Sequence, residues 1–302
     1  MNNEQIREQV TTTILAALES GVSPWRRPWN TTGGAARPHN AASGHVYSGI
    51  NTFYLWAVAS AQGYGTSQWL TYNQARGLNG NVKRGEKAAW IVFAKPLRVK
   101  AKASESADSD GFKKLFLMRV TPVFNVAQCE NLELPSRELP EELSDHLTDA
   151  DIVRKSLTFA RDVGISVELG GNRACFSVEA NAVRMPEPAQ FHSAEAFAAT
   201  LYHEVIHATG HTSRLSRKFG GRFGDADYAF EELIAELGSA MLCQARGIGS
   251  DQMESHAAYI DNWRAILEAN PKAIFDAAKF AEAALNFLIP AETIEHSEEI
   301  AA

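Results

Sequence analysis

His203-Glu204-Val205-Ile206-His207 sets two imidazoles four residues apart, with a carboxylate beside the first. On a helix, residues i and i+4 leave the same face about one turn apart, so both rings can reach one cation. Glu204 stands where a carboxylate can take a proton from water held there. Zinc is the expected ion, and other divalent cations such as Mn2+ suit the same donors. A catalytic zinc needs a third protein ligand. Where one class of zinc peptidase supplies a third histidine, this chain has Ser213. His211 lies one turn after His207 on a helix that Gly210 should end, and is read as an outer group rather than a ligand. A second class takes a glutamate from a following helix. Within Phe230-Glu231-Glu232-Leu233-Ile234-Ala235-Glu236-Leu237, Glu232 and Glu236 share a face one turn apart. Glu232 is the expected ligand and Glu236 the acceptor for a ligand histidine. The reverse assignment stays open. Glu231 is expected to point elsewhere, into solvent.

These groups need rigid elements to hold them. The spacing of apolar residues predicts helices over Ala150–Val163, Ser193–Thr209 and Tyr228–Arg246, and over Met253–Phe287 with a break at Pro271. Arg173–Met185 reads as one or two strands, with Ala174–Met185 as an edge along which an extended peptide could lie. Upstream, residues 3–20 form an amphipathic helix, Pro24–Gly49 a loop, Asn51–Gln62 a second helix and Ser67–Leu78 a third. Ala88–Val99 and Leu115–Val126 read as strands joined by a long polar loop, Lys100–Lys114. Two prolines and several acids in Glu130–Asp145 mark a linker. The expectation is an α+β protein: an α/β domain at 1–128, a linker at 129–147, a mostly helical domain with a small sheet at 148–290, and an acidic tail at 291–302.

With 45% hydrophobic and 22% charged residues among 302, the chain is globular in composition. No apolar run of membrane-spanning length and no signal peptide stand out. The odd cysteines, Cys129, Cys175 and Cys243, read as buried thiols. The cytoplasm is the expected compartment. Charge is unevenly shared. Residues 1–127 carry 15 Lys/Arg against 7 Asp/Glu (net +8), and residues 128–302 carry 14 against 29 (net −15). A basic half suggests an anionic partner for that half alone. It also holds five of the six tryptophans. Trp56 and Trp90 sit in apolar runs and read as core. Trp25, Arg26, Arg27 and Trp29 interleave indole and guanidinium in a loop, the mixture that stacks on bases and tracks phosphates of single-stranded nucleic acid. Lys83, Arg84 and Lys87 around Gly85 form a second basic turn.

Taken together, the chain resembles the ArdC family of plasmid antirestriction proteins over about residues 1–290. The N-terminal resemblance rests on Gly21–Trp25, Pro28-Trp29, Pro38-His39-Asn40, Gly44–Asn51, Trp69–Ala75, Val82–Lys87 and Val123–Val126. The C-terminal one rests on His203–Gly210, Ser213–Arg217 and the Glu232/Glu236 helix. It implies an N-terminal domain that binds single-stranded DNA and a C-terminal zincin-like metallopeptidase domain. It also implies protection of incoming conjugative DNA from host restriction. Within the shared motifs it adds Asn40, Tyr47, Asn51, Trp69, Tyr72 and Gln74 as candidate DNA contacts. Lys100–Lys114 is the least family-like stretch. Three readings follow: a DNA-binding protein with a working peptidase, the same with a structural or silent zincin domain, and a peptidase unrelated to DNA. Charge and the aromatic loop disfavour the third.

Overall fold

A computed structural model describes residues 3–19, 37–100, 112–135, 148–219, 226–248 and 257–290. The Trp25–Trp29 loop, the interior of the Lys100–Lys114 loop, most of the linker and the acidic tail lie outside these residues. Contacts divide the described chain into two compact units, one from 3–17 and 37–135, the other from 148–290 with the end of the first helix.

The first unit opens with helix α1 (Asn3–Glu19), whose Ile6, Val10, Ile14 and Leu18 are buried at the spacing the sequence predicts. Strand β1 (His39–Asn40) precedes helix α2 (Ile50–Gln62), which ends at Gly63 with φ +67. Strand β2 (Gln68–Leu70) and helix α3 (Tyr72–Gly77) then replace the single helix expected over Ser67–Leu78. Thr71 is the cause of the break. Its hydroxyl accepts from the Gln74 N–H at 3.2 Å while the Gln74 side chain accepts from the Thr71 N–H at 2.9 Å, a reciprocal cap that starts a new helix. Strand β3 (Asn81–Val82) leads into the long pair β4 (Ala89–Lys100) and β5 (Phe112–Asn125), antiparallel along their length. The main sheet runs β1-β2-β5-β4, with β1 and β2 parallel. Strand β6 (Cys129–Glu130) pairs with β3, so the fold of this unit continues past residue 128.

The second unit starts with helix α4 (Asp149–Asp162), capped by Thr148 and Asp151. Three short strands follow: β7 (Ser166–Leu169), β8 (Cys175–Ser177) and β9 (Ala182–Met185), in the order β7-β9-β8. Strand β8 alone forms the edge expected over Ala174–Met185, since β9 is central. Helix α5 (Ala194–Thr209) carries the histidine pair and packs on β8, β9, α4 and α6 (Ala226–Ala245). Helices α7 (Ala257–Ala269) and α8 (Ala273–Leu288) complete the core, separated around Pro271. The α5–α6 crossing is close because Gly238 has no side chain. A Cβ there would meet Ile206 Cγ2 at 2.9 Å. No helix among the described residues is long and apolar enough to cross a membrane.

Candidate metal centre

Ser193 caps α5 through its hydroxyl, which accepts from the Ala196 N–H at 3.1 Å, and this fixes where the helix begins. Ten and fourteen residues on, His203 and His207 are both buried, with their Nε2 atoms 3.2 Å apart. Glu232 of α6 lies between them, Oε2 at 3.4 Å from His203 Nε2 and Oε1 at 3.5 Å from His207 Nε2. Ligand atoms from the three residues all fall within 4.8 Å of one another. The outer ring nitrogens meet other carboxylates. His207 Nδ1 is 3.2 Å from Glu231 Oε1, and His203 Nδ1 is 3.9 Å from Glu236 Oε2. Glu204 is buried and lines the same cavity of about 540 Å³ as His203, His207 and Glu232.

The electrostatics fit a cation. Four buried carboxylates, Glu204, Glu231, Glu232 and Glu236, converge on one cavity. Arg217, also buried, is engaged by one of them, with Nη2 at 2.7 Å and Nε at 3.0 Å from the Glu231 oxygens. Buried negative charge of this density requires compensation, and a divalent ion between two imidazoles and a carboxylate supplies it. In a chelated protein a proton would take part of that role. Burial drives the His207 pKa down, but hydrogen bonds to Glu231 and Glu232 outweigh it and push the value up to about 10. Burial acts to raise Glu232, yet its bonds from His203 and His207 hold it far below the usual carboxylate range. Glu231 is likewise lowered by His207 and Arg217 against the effect of burial.

Two expectations for this unit need correction. Glu231 is not solvated. It is buried and bonded to His207 and Arg217, because residues 231–240 of α6 are all buried and that stretch has no water-facing side. His211 stays outside the cluster, its Nδ1 2.7 Å from Ser213 Oγ and its ring against Phe176. Sequence reasoning also passed over Tyr228, Phe219 and Thr200, which line the cavity. Arg217, inside the Ser213–Arg217 motif, and Glu231 lie ten and twenty-four residues from His207, and no local spacing pairs them with it. Cys243 and Cys129 are buried thiols, and burial pushes both pKa values up. Cys175 is only half-buried and lines the cavity from β8.

In the first unit the candidate DNA contacts separate into two groups. Trp69 is 0% exposed and packs edge-on against Tyr64, so its ring has no face for a base. Asn51 ties α2 to β4, its side-chain amide bonding the Val92 carbonyl at 2.9 Å and its oxygen the Val92 N–H at 2.8 Å. Asn40 is buried and organises a turn: its oxygen accepts from the Ala42 and Ser43 N–H groups, and its amide donates to Gln74 at 2.9 Å. Tyr47 is buried beside it, 3.4 Å from the Asn40 amide. These five residues, Gln74 included, build the fold. Tyr72 is 51% exposed, and Lys83, Arg84 and Lys87 are exposed on the turn after β3, which packs beside α3. Trp56 is buried, as expected for core, while Trp90 is half-buried.

The fold and the site together define a two-domain α+β protein with a zincin-like C-terminal domain. Residues 155–280 match the family described as zincin-like metallopeptidase, and residues 4–124 match the N-terminal domain of anti-restriction factor ArdC. An uncharacterized protein of Sinorhizobium fredii, y4eC, is 38% identical, covering 92% of this chain and 89% of that one. The antirestriction ArdC protein from the R388 plasmid superposes with a TM-score of 0.72 at 34% identity in its metal-free crystal structure, covering 93% of this chain and 96% of that one. Its Mn(II)-bound structure gives the same TM-score at 32% identity. The DNA primase TraC of Escherichia coli is 33% identical over 97% of this chain, which spans only 28% of the primase. This chain belongs to the ArdC family of antirestriction proteins.

Proposed function

We propose that this chain binds single-stranded DNA through its basic N-terminal domain, residues 1–128, and protects incoming conjugative DNA from host restriction. Its C-terminal domain is a metallopeptidase in which His203, His207 and Glu232 hold one divalent cation, zinc by its ligand preference. The Mn(II) of the R388 protein's crystal structure favours a site that also accepts manganese. The observation carrying this reading is the convergence of His203, His207 and Glu232 beside Glu204 in one cavity. When bound, the cation supplies a Lewis acid that polarises a carbonyl and lowers the pKa of water to about 7. Glu204 then accepts the proton of the attacking water and returns it to the leaving amine. Edge strand β8, whose Cys175 and Phe176 line the cavity beside the preceding Ala174, offers backbone to an extended peptide.

The test is conjugative transfer of unmodified DNA into restricting and non-restricting recipients, with wild type, Glu204→Ala or no protein. Wild type is expected to raise transfer only into the restricting host, and Glu204→Ala to lose that gain. Equal transfer with and without the wild-type chain would overturn antirestriction. Full protection by Glu204→Ala would remove peptidase chemistry from the function and leave DNA binding as its basis.

A further inference from the structure

Gly210 ends α5, and the segment after it folds back over the helix C-terminus. The Leu215 N–H bonds Thr209 O at 3.0 Å, the Ser216 N–H bonds His211 O at 3.1 Å, and the Arg217 N–H bonds Gly210 O at 2.8 Å. This strap carries the Arg217 side chain inward, where it is 4% exposed. One end of the guanidinium serves α5: Nη1 donates to Thr209 Oγ1 at 2.7 Å and Nη2 to the Ile206 carbonyl at 2.7 Å. The other end forks onto Glu231 of α6, Nη2 to Oε1 at 2.7 Å and Nε to Oε2 at 3.0 Å. Glu231 Oε1 is in turn 3.2 Å from His207 Nδ1. Gly210 makes room for this. Its φ is an ordinary −75, but a Cβ would stand 2.9 Å from Arg217 Nη2 and 2.8 Å from Phe219 Cζ.

We infer that Arg217 and Glu231 are positioning residues for the cation, acting through His207. The inference rests on the reading of His203, His207 and Glu232 as ligands. A carboxylate oxygen accepts and never donates, so once a cation takes the place of the second proton, Glu231 would keep the remaining proton of His207 on Nδ1 and leave the Nε2 lone pair toward His203 and Glu232. Arg217 ties that carboxylate to Ile206 and Thr209, the same helical turn that carries His207. Ring and acceptor are thereby held in one frame although they belong to different helices. A lysine has charge but no planar fork, so it cannot engage both carboxylate oxygens and the α5 carbonyl together.

The test uses the full chain and measures Mn(II) and Zn(II) affinity by chelator competition at fixed pH. The proteins are wild type, Arg217→Met, Glu231→Gln and the double variant. Each single change is expected to weaken binding about 10- to 100-fold, the usual effect of losing an outer partner of a ligand histidine. The double is expected to be no weaker than Glu231→Gln alone, because Arg217 works through Glu231. If Arg217→Met does not fold, Arg217→Lys takes its place. Melting of its chelator-treated form at the wild-type temperature, with weaker Mn(II) binding and an altered Mn(II) resonance spectrum, supports the assignment. Wild-type affinity in any folded Arg217 variant, or losses that multiply in the double, would overturn it. Absence of any cation binding by wild type would sink the ligand reading and this one together.

Discussion

His207 holds a proton that a cation has to displace. With its pKa pushed up to about 10 by Glu231 and Glu232, uptake of one ion releases one proton across the neutral range. Apparent metal affinity should therefore climb about tenfold per pH unit from 6 to 9. A flat profile in chelator-competition titrations would contradict it. The same shifts set the stability of the chelated protein. A folded pKa above the unfolded 6.5 gives His207 a contribution complete below pH 6.5 and lost as pH rises toward about 10. Glu232, lowered from 4.5, contributes above pH 4.5 and loses that contribution below it. Melting temperature of the chelated chain should then fall from pH 6.5 to 9. In the other unit, Trp69 is a core residue, and Trp69→Ala should cost ~3–5 kcal/mol of stability. DNA affinity of the folded fraction should stay unchanged; a variant that melts normally but binds DNA poorly would return Trp69 to the interface.

At the scale of elements, α5 was legible because capping and spacing are local. Ser193 begins the helix, and the i, i+4 histidines must share a face once it forms. Helix α6 was legible in extent but not in orientation. Periodicity assigns faces only when one side meets water, and from 231 to 240 none does, so it misplaces Glu231 although Glu232 clusters with the histidines. The Thr71–Gln74 cap is written in the sequence, yet the apolar run around Trp69 and Leu70 blended into it and hid strand β2. Strand β7 went unread: its four residues are mostly exposed and lack alternation. The α5–α6 crossing, which no local pattern encodes, sets the distance from His207 to Glu232. Gly238→Ala tests it, since the added Cβ would meet three Ile206 carbons at 2.9–3.1 Å. Overpacking of this kind costs ~1–3 kcal/mol. A melting temperature equal to or above wild type would show that the helices yield freely.

For the whole molecule, the charge split of +8 and −15 favours the proposed polyanion at the first half and the proposed cation at the second. Of the candidate DNA contacts among the described residues, Tyr72, Lys83, Arg84 and Lys87 are the exposed ones. Replacing the three basic residues by alanine in the full chain should lower the salt dependence of single-stranded DNA binding by about two units of log K against log salt, at ~0.7 per phosphate contact. An unchanged slope in fluorescence titrations would move the contact elsewhere. In the second half, the proposed chemistry needs His203, His207 and Glu232 to hold one ion. The direct measurement is metal content after equilibration with zinc or manganese and removal of excess, for wild type, Glu204→Ala and His203→Ala/His207→Ala. Wild type and Glu204→Ala should each retain about one ion per chain, and the double variant none. Retention of the ion by the double variant at the wild-type ratio would contradict the assignment.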